Sequence, residues 1–287
     1  MSLKGGEAAL QSSGGVIISL ASDTGGSIRT PAGFCGLFGH KPSPQTVSTH
    51  GAYIHDNVDP DLTLQTLGPI SRHAEDLAAI LRVLLGDNSH LLSLEKTVAL
   101  SRCKFYLLTT HIGGNLTSML DPEVTLAVQS VVDYVEDNYG VTVKPLHLPE
   151  LHNCLALFSS EVSKVNKTTL CNDAGISWVS WELVKMIFGR SSNTFPVLIQ
   201  SFMERIGEFF NTSSHSKNYD NDEVLLLKNK VQNILGDNGI LLSPLHPTLP
   251  PYQYQSYTKP FNFLYSAVFN LLGLPATVIP IGLSQSR

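Results

Sequence analysis

What the sequence lacks narrows it first. Only 15% of the 287 residues are charged, the net charge is -5, and the 19 lysines and arginines form no stripe. The electrostatic footprint of a nucleic-acid binder is missing, so nucleic acid is set aside as a partner. No window approaches eighteen consecutive apolar residues, and the opening "MSLKGGEAAL" has no long apolar core, so a soluble chain without a signal peptide is expected. The four cysteines, Cys35, Cys103, Cys154 and Cys171, form no C-x-x-C pair and keep no zinc-like spacing with histidine. They are expected to be reduced and mostly buried, and no metal or other cofactor is expected. Neither G-x-x-x-x-G-K-[ST] nor G-x-G-x-x-G occurs, which removes the usual nucleotide cradles.

What remains is a chain with 43% hydrophobic residues, enough for a large core. "EAALQSS" can form a short helix that Gly14 and Gly15 end before "VIISL". That run is apolar at both alternating positions, which predicts a strand covered on two faces. Residues 30 to 70 are rich in Gly, Pro, Ser and Thr and read as loop and short strand, ending at "TLGPIS". "HAEDLAAILRVLLG" carries helical spacing, "KFYLLTT" reads as a strand, and Asp121-Pro122-Glu123 opens a helix that runs to Tyr139. "VTVKPL" and "GILLSP" are further strands, residues 151 to 212 look mainly helical, and 211 to 222 read as a loop. Residues 223 to 235 give another helix, and "FNFLYSAVFNLLGLPATVIPIGL" reads as helix, turn and buried strand. The alternation predicts an α/β fold with a mostly parallel or mixed sheet.

The stretch "SDTGGSIR" directly follows the first strand. Two glycines let successive amides point into one concavity, because glycine adopts positive φ at no steric cost. A hydroxyl at the end of such a nest suits nucleophilic attack on a carbonyl: Ser27 would attack, and the amides of Thr24, Gly25, Gly26 and Ser27 would hold the oxyanion. Taken from the residues alone, an ordinary turn accounts for Gly-Gly-Ser more simply. Asp23 and Arg29 bracket the turn and can fix it as an ion pair. Arg29 stands where the last glycine of a G-x-S-x-G elbow would be, which disfavours a Ser-His-Asp hydrolase. His40, His73 and His246 have no partners at ligand spacing and read as structural or surface residues. Lys41 reads as a loop-packing residue.

Gly5-Gly6-Glu7, Gly14-Gly15, Ser22 to Arg29, Pro31-Ala32, Phe34 to Leu37 and Gly39 to Ser43 resemble, in order, the core of the amidase signature family. "LGPISRHAEDLAAIL" and "PFNFLYSAVFNLLGLPATVIPIGL" resemble later segments of the same family, and "FGHKPSP" and "LLSPLHPTLPP" look like its fatty-acid amide hydrolase branch. The resemblance implies a mixed β-sheet covered by helices on both faces, in one domain over residues 1–287. It implies a serine amide hydrolase that acts on small-molecule lipid amides, with Ser27 as the acylated nucleophile, the amides of residues 24 to 27 as oxyanion hole, and Asp23 and Arg29 as supports. The family moves protons through a lysine and a second serine. Aligned back from Gly5, the second serine falls at Leu3, beside Lys4; neither is serine, and neither Ser2 nor Lys4 matches the register. The family's lysine lies further upstream, and "GLSQSR" stops before a further strand of the family. The domain is therefore expected to be incomplete at both ends, without the membrane anchor found upstream in some of these enzymes, so that membrane contact is left open for the full-length protein. Two other functions stay open: a non-catalytic fragment or pseudoenzyme, and a glutamine-hydrolysing component of an amidotransferase.

Overall fold

The computed structural model describes residues 5–49, 64–165, 180–182, 184–185, 190–191, 221–252 and 255–284. The expected helix and first strand form as α1 (Gly5–Ser12) and β1 (Ile18–Asp23). Between Asp23 and "TLGPIS", where loop was expected, the chain also makes a short helix α2 (Arg29–Phe34) and a strand β2 (Phe38–Lys41). β3 (Thr66–Ser71) and α3 (Ala74–Leu85) follow as anticipated, with Gly86 at φ +50° ending the helix. β4 (Lys104–Leu108), α4 (Pro122–Tyr139) and β5 (Val143–Leu146) make a strand–helix–strand unit. Asp121 caps α4, its Oδ1 accepting from the Glu123 amide at 2.9 Å, and Gly140 ends it at φ +63°. The later elements are α5 (Cys154–Val165), α6 (Asn221–Leu235), β6 (Gly239–Leu242), α7 (Leu264–Leu271) and β7 (Ala276–Val278). Most of the helical stretch expected over 151 to 212, and almost all of the 211 to 222 loop, lie outside the described residues.

The strands form two sheets. One has the order β1-β3-β2-β7 and is antiparallel throughout; the other is parallel, in the order β5-β4-β6. The fold is α/β with mixed strand directions, as the sequence predicts. β1 differs from its expectation. Among the described residues it lies at the end of its sheet and pairs only with β3, and Ile18 and Leu20 on one of its faces are 45% and 52% exposed. The opposite face carries Ser19, Ala21 and Asp23, all buried, and Ala21 packs with Ala8, Ile28, Ala32 and Ile70. The apolar alternation of "VIISL" was therefore no guide to cover on both faces.

The larger core joins the parallel sheet to α5, α6 and α7, through residues such as Leu108, Leu146, Leu157, Val231 and Leu271. Cys103 and Cys154 are buried free thiols, Cys35 is half-buried and free, and burial pushes the Cys154 thiol up to about 12; Cys171 lies outside the described residues. Among the described residues no helix is long and apolar enough to cross a membrane.

The antiparallel sheet is tightest at Gly68 in β3, where an added Cβ would stand 2.1 Å from the His40 carbonyl oxygen and 2.9 Å from Pro42 Cδ. A backbone oxygen cannot step aside as a side chain can. Gly68→Ala is therefore expected to lower stability by about 1–3 kcal/mol or more in urea unfolding. Gly282→Ala, where nothing lies within 4 Å, should stay within about 0.5 kcal/mol of wild type.

Candidate active site

Asp23 ends β1 and Arg29 opens α2, and both side chains are buried, at 0% and 2% exposure. The guanidinium meets the carboxylate as a fork: Nε donates to Oδ2 and Nη2 to Oδ1, each at 3.0 Å. Two charges so deeply buried need further partners to offset their lost hydration. Asp23 receives them from the Gly26 amide at 2.7 Å, the Ile28 amide at 3.2 Å and Asn270 Nδ2 at 3.0 Å. Arg29 finds them in Asn270 Oδ1 at 2.6 Å and the Ser266 carbonyl at 2.8 Å, and its guanidinium carbon lies 5.7 Å from the centre of the Phe269 ring. The two hydrogens of Asn270 Nδ2 are shared among the Asp23 carboxylate and the Asp23 and Leu64 carbonyls, so Asn270 clamps both ends of the pair. Burial alone would push the Asp23 carboxyl up, but the Arg29 charge and the hydrogen bonds from Arg29, Gly26 and Asn270 outweigh it and hold the group below its ordinary value.

Between these two anchors the chain must turn within five residues. Gly26 sits at φ +106°, and an added Cβ there would lie 2.3 Å from Ser266 Cβ and 3.0 Å from Thr30 Oγ1. Ser266 Oγ donates to the Leu245 carbonyl at 2.9 Å, which leaves it to accept from Thr30 Oγ1 at 3.0 Å. The turn then enters α2 through a bond from the Thr30 amide to the Gly26 carbonyl.

Ser27, on the outer part of this turn, is half-buried, and among the described residues no hydrogen bond engages its hydroxyl or its amide. The amides of Thr24 and Gly25 are likewise unengaged among the described residues, whereas that of Gly26 is held by Asp23. Gly25 lies under an edge-to-face pair of Phe158 and Phe263, with an added Cβ 3.4 Å from Phe158 Cζ and 3.6 Å from the Phe263 ring. The turn thus combines a free hydroxyl, unpaired amides and an apolar wall.

Lys41 is not a loop residue. It ends β2, fully buried, and its Nζ donates to the Pro42 carbonyl at 3.0 Å. Burial, with the nearby Arg29 charge, pulls its ammonium down to about 7, against a smaller opposing pull from Asp23. His40 hydrogen-bonds Thr277 Oγ1 at 2.8 Å, and burial and the charges of Lys41 and Arg29 draw it down to about 4. His246 bonds within its own turn to Thr248, and His73 precedes α3. Ser2, Leu3 and Lys4 lie outside the described residues. Asn270 and Ser266 were not picked out from the sequence. Their signal was two polar residues four apart on one face of an otherwise apolar helix.

These features define an α/β protein whose first strand, glycine turn and short helix are locked by a buried ion pair. The chain belongs to the amidase family: the family's model matches residues 4–287. It is 35% identical over 301 residues to fatty-acid amide hydrolase 2-B of Danio rerio, covering 99% of this chain and 54% of that protein, and 35% identical over 290 residues to human fatty-acid amide hydrolase 2, covering 98% and 54%. It is 25% identical over 305 residues to a glutamyl-tRNA(Gln) amidotransferase subunit of Pseudothermotoga lettingae, covering 98% and 62%. The chain spans about half the length of the fatty-acid amide hydrolase 2 relatives it matches. The crystal structure of the corresponding subunit of Thermotoga maritima shares the fold, with a TM-score of 0.65 at 20% identity over 98% of this chain and 58% of that one.

Asp23→Asn would leave the Arg29 charge buried without its counter-ion, and is expected to cost about 3–5 kcal/mol in chemical denaturation near neutral pH. Because Asp23 is held below its unfolded value, its contribution is complete above about pH 4–5 and fades as pH falls through the lower folded value, so the wild-type advantage over Asp23→Asn should shrink below pH 4. Lys41 carries the opposite sign. The unfolded chain binds the proton more tightly between the folded value of about 7 and the ordinary 10.5, so this group's contribution becomes more favourable as pH rises through that range. Lys41→Met should accordingly be more stable than wild type at pH 6, with the gap narrowing toward pH 9 in paired thermal melts.

Proposed function

We propose that Ser27 is the nucleophile of an amide hydrolase, and that its substrates are fatty-acid amides. The observation that carries this reading is the turn itself: a half-buried hydroxyl that has no hydrogen-bond partner among the described residues, on a loop whose Thr24, Gly25 and Ser27 amides are likewise unengaged among them. Ser27 Oγ attacks the amide carbonyl carbon, its proton passes to a base, and the carbonyl oxygen becomes an oxyanion that the turn's amides stabilise. The Gly26 amide joins them only by sharing or releasing its bond to Asp23. The C–N bond then breaks, the amine leaves with a proton, and water hydrolyses the acyl-serine ester. Asp23, Arg29 and Asn270 position the turn and touch no substrate.

The proton needs an acceptor, and among the described residues none is bonded to Ser27 Oγ. General-base assistance is worth about 10²- to 10⁴-fold in rate, so turnover depends on a base reaching Ser27, the part that the family resemblance gives to a lysine and a second serine. The lipid preference is supported by the Phe158–Phe263 pair beside Gly25 and by the identity to the fatty-acid amide hydrolase 2 proteins. The similarity to glutamyl-tRNA(Gln) amidotransferase subunits supports glutamine as the second reading.

The test is to treat the folded protein with a fluorophosphonate probe. Labelling is expected at Ser27 and should vanish in Ser27→Ala, with a fatty-acid ethanolamide hydrolysed in preference to glutamine. A folded protein labelled elsewhere, or not labelled, rules out Ser27 as nucleophile, and glutamine hydrolysis without lipid-amide cleavage transfers the assignment to the amidotransferase reading.

A further inference from the structure

The parallel sheet has a feature the nucleophile turn does not use. From β4 the chain passes through α4 to β5 on one side, and β6 is then added on the other side of β4. Strand order therefore reverses between β4 and β6. In open parallel sheets, a crevice beyond the carboxyl ends of the strands at such a reversal is where ligands bind.

A cavity of about 340 Å³ occupies that place, at the low end of the roughly 300–1,000 Å³ of small-molecule sites. Its walls come from the end of β4 and the following turn, from Pro244 after β6, from Val124 and Val128 on α4, and from Tyr265 on α7. At the rim Met119 is 77% exposed and Leu120 38%. No residue from 23 to 29 lines it, so it is separate from the nucleophile turn.

The chemistry of the walls selects the ligand. None of the lining residues is Asp, Glu, Lys or Arg, so a charged group drawn in from water would meet no counter-charge. The polar side chains in the lining are already engaged inside the protein. Thr109 donates to the Leu146 carbonyl, Thr125 to that of Asp121 and Ser243 to that of Pro244, while Gln129 donates to Asp133 and Thr110 accepts from the Leu148 amide. His111 Nε2 lies 2.8 Å from the Gly114 carbonyl, which can only accept, so Nε2 carries the hydrogen and Nδ1 accepts from the Tyr265 hydroxyl at 3.1 Å. What is left for a ligand is mainly apolar wall and acceptor lone pairs on hydroxyls and the Gln129 carbonyl, which repel an anion, with a long, adaptable methionine at the mouth.

We propose that this cavity is a second binding site, which takes a neutral molecule with a medium-length aliphatic or aromatic body and excludes its anionic analogues. The probe is N-phenyl-1-naphthylamine, a neutral dye that brightens in apolar surroundings, titrated into the 287-residue chain. Saturable binding is expected, displaced by decanamide and at least tenfold less effectively by decanoate. Val124→Phe and Val128→Trp, which fill the cavity, should each weaken binding at least tenfold. Should either variant fail to fold, photolabelling of the wild-type chain with a diazirine-bearing decanamide supplies the readout, with the label expected on residues 107 to 129. Ser27→Ala should bind the dye like wild type, which keeps the result independent of the nucleophile assignment. The proposal is overturned by non-saturable binding, by equal displacement with decanoate, by full binding in folded Val124→Phe and Val128→Trp, or by photolabel confined to residues outside the lining.

Discussion

The buried contact between Asp23 and Arg29 fixes everything around the turn, because a charge pair with 0% and 2% exposure tolerates very few arrangements of its neighbours. Its two carboxylate oxygens must each be satisfied, and the chain satisfies them with the amides of Gly26 and Ile28 and the side chains of Arg29 and Asn270. Those bonds dictate that the backbone turns back on itself directly after β1. The positive φ of Gly26 and the close approach of Ser266 follow from that path. A pair of this kind adds little net stability compared with a well-packed apolar substitute; its effect here is to specify one conformation of residues 24 to 28.

The clamp also ties remote parts of the chain to the turn. Asn270 and Ser266 lie on α7, far along the sequence, and bring that helix against β1 and α2 through Arg29, Thr30 and the Asp23 carbonyl. On its other sides α7 enters the large core and, through Tyr265, the wall of the β4–β6 cavity. Lys41 belongs to the same neighbourhood electrically: Arg29 and burial both press its ammonium toward the neutral form. Among the described residues the Asp23 carboxylate thus balances Arg29, and the neutral form favoured for Lys41 avoids a second buried positive charge beside them.

Much of this was legible in the sequence. The strand–glycine–serine–arginine order of "ISLASDTGGSIR" announced the turn and the pairing of Asp23 with Arg29, because short-range chemistry is written in consecutive residues. Helices with clear start and stop residues, such as α4 between Asp121 and Gly140, were equally plain. Long-range partners were not: nothing near Asp23 says that its carboxylate also needs Asn270, and two polar residues in an apolar helix look like imperfections until the fold closes. The division into an antiparallel and a parallel sheet was hidden for the same reason, since pairing depends on which edges meet. The burial of Lys41 went unseen because strand β2 is four residues long and lies in a stretch of loop composition.

The central claim is that Asp23 takes two amides of the turn and leaves three for another group. Hydrogen exchange of individual backbone amides, followed by NMR on the deuterated protein, tests this without requiring catalysis. Gly26 and Ile28, bonded to the Asp23 carboxylate, should exchange at least tenfold more slowly, after correction for intrinsic rates, than Thr24, Gly25 and Ser27. Equal rates across residues 24 to 28, or protection of Thr24, Gly25 and Ser27 with Gly26 and Ile28 exposed, would contradict the account.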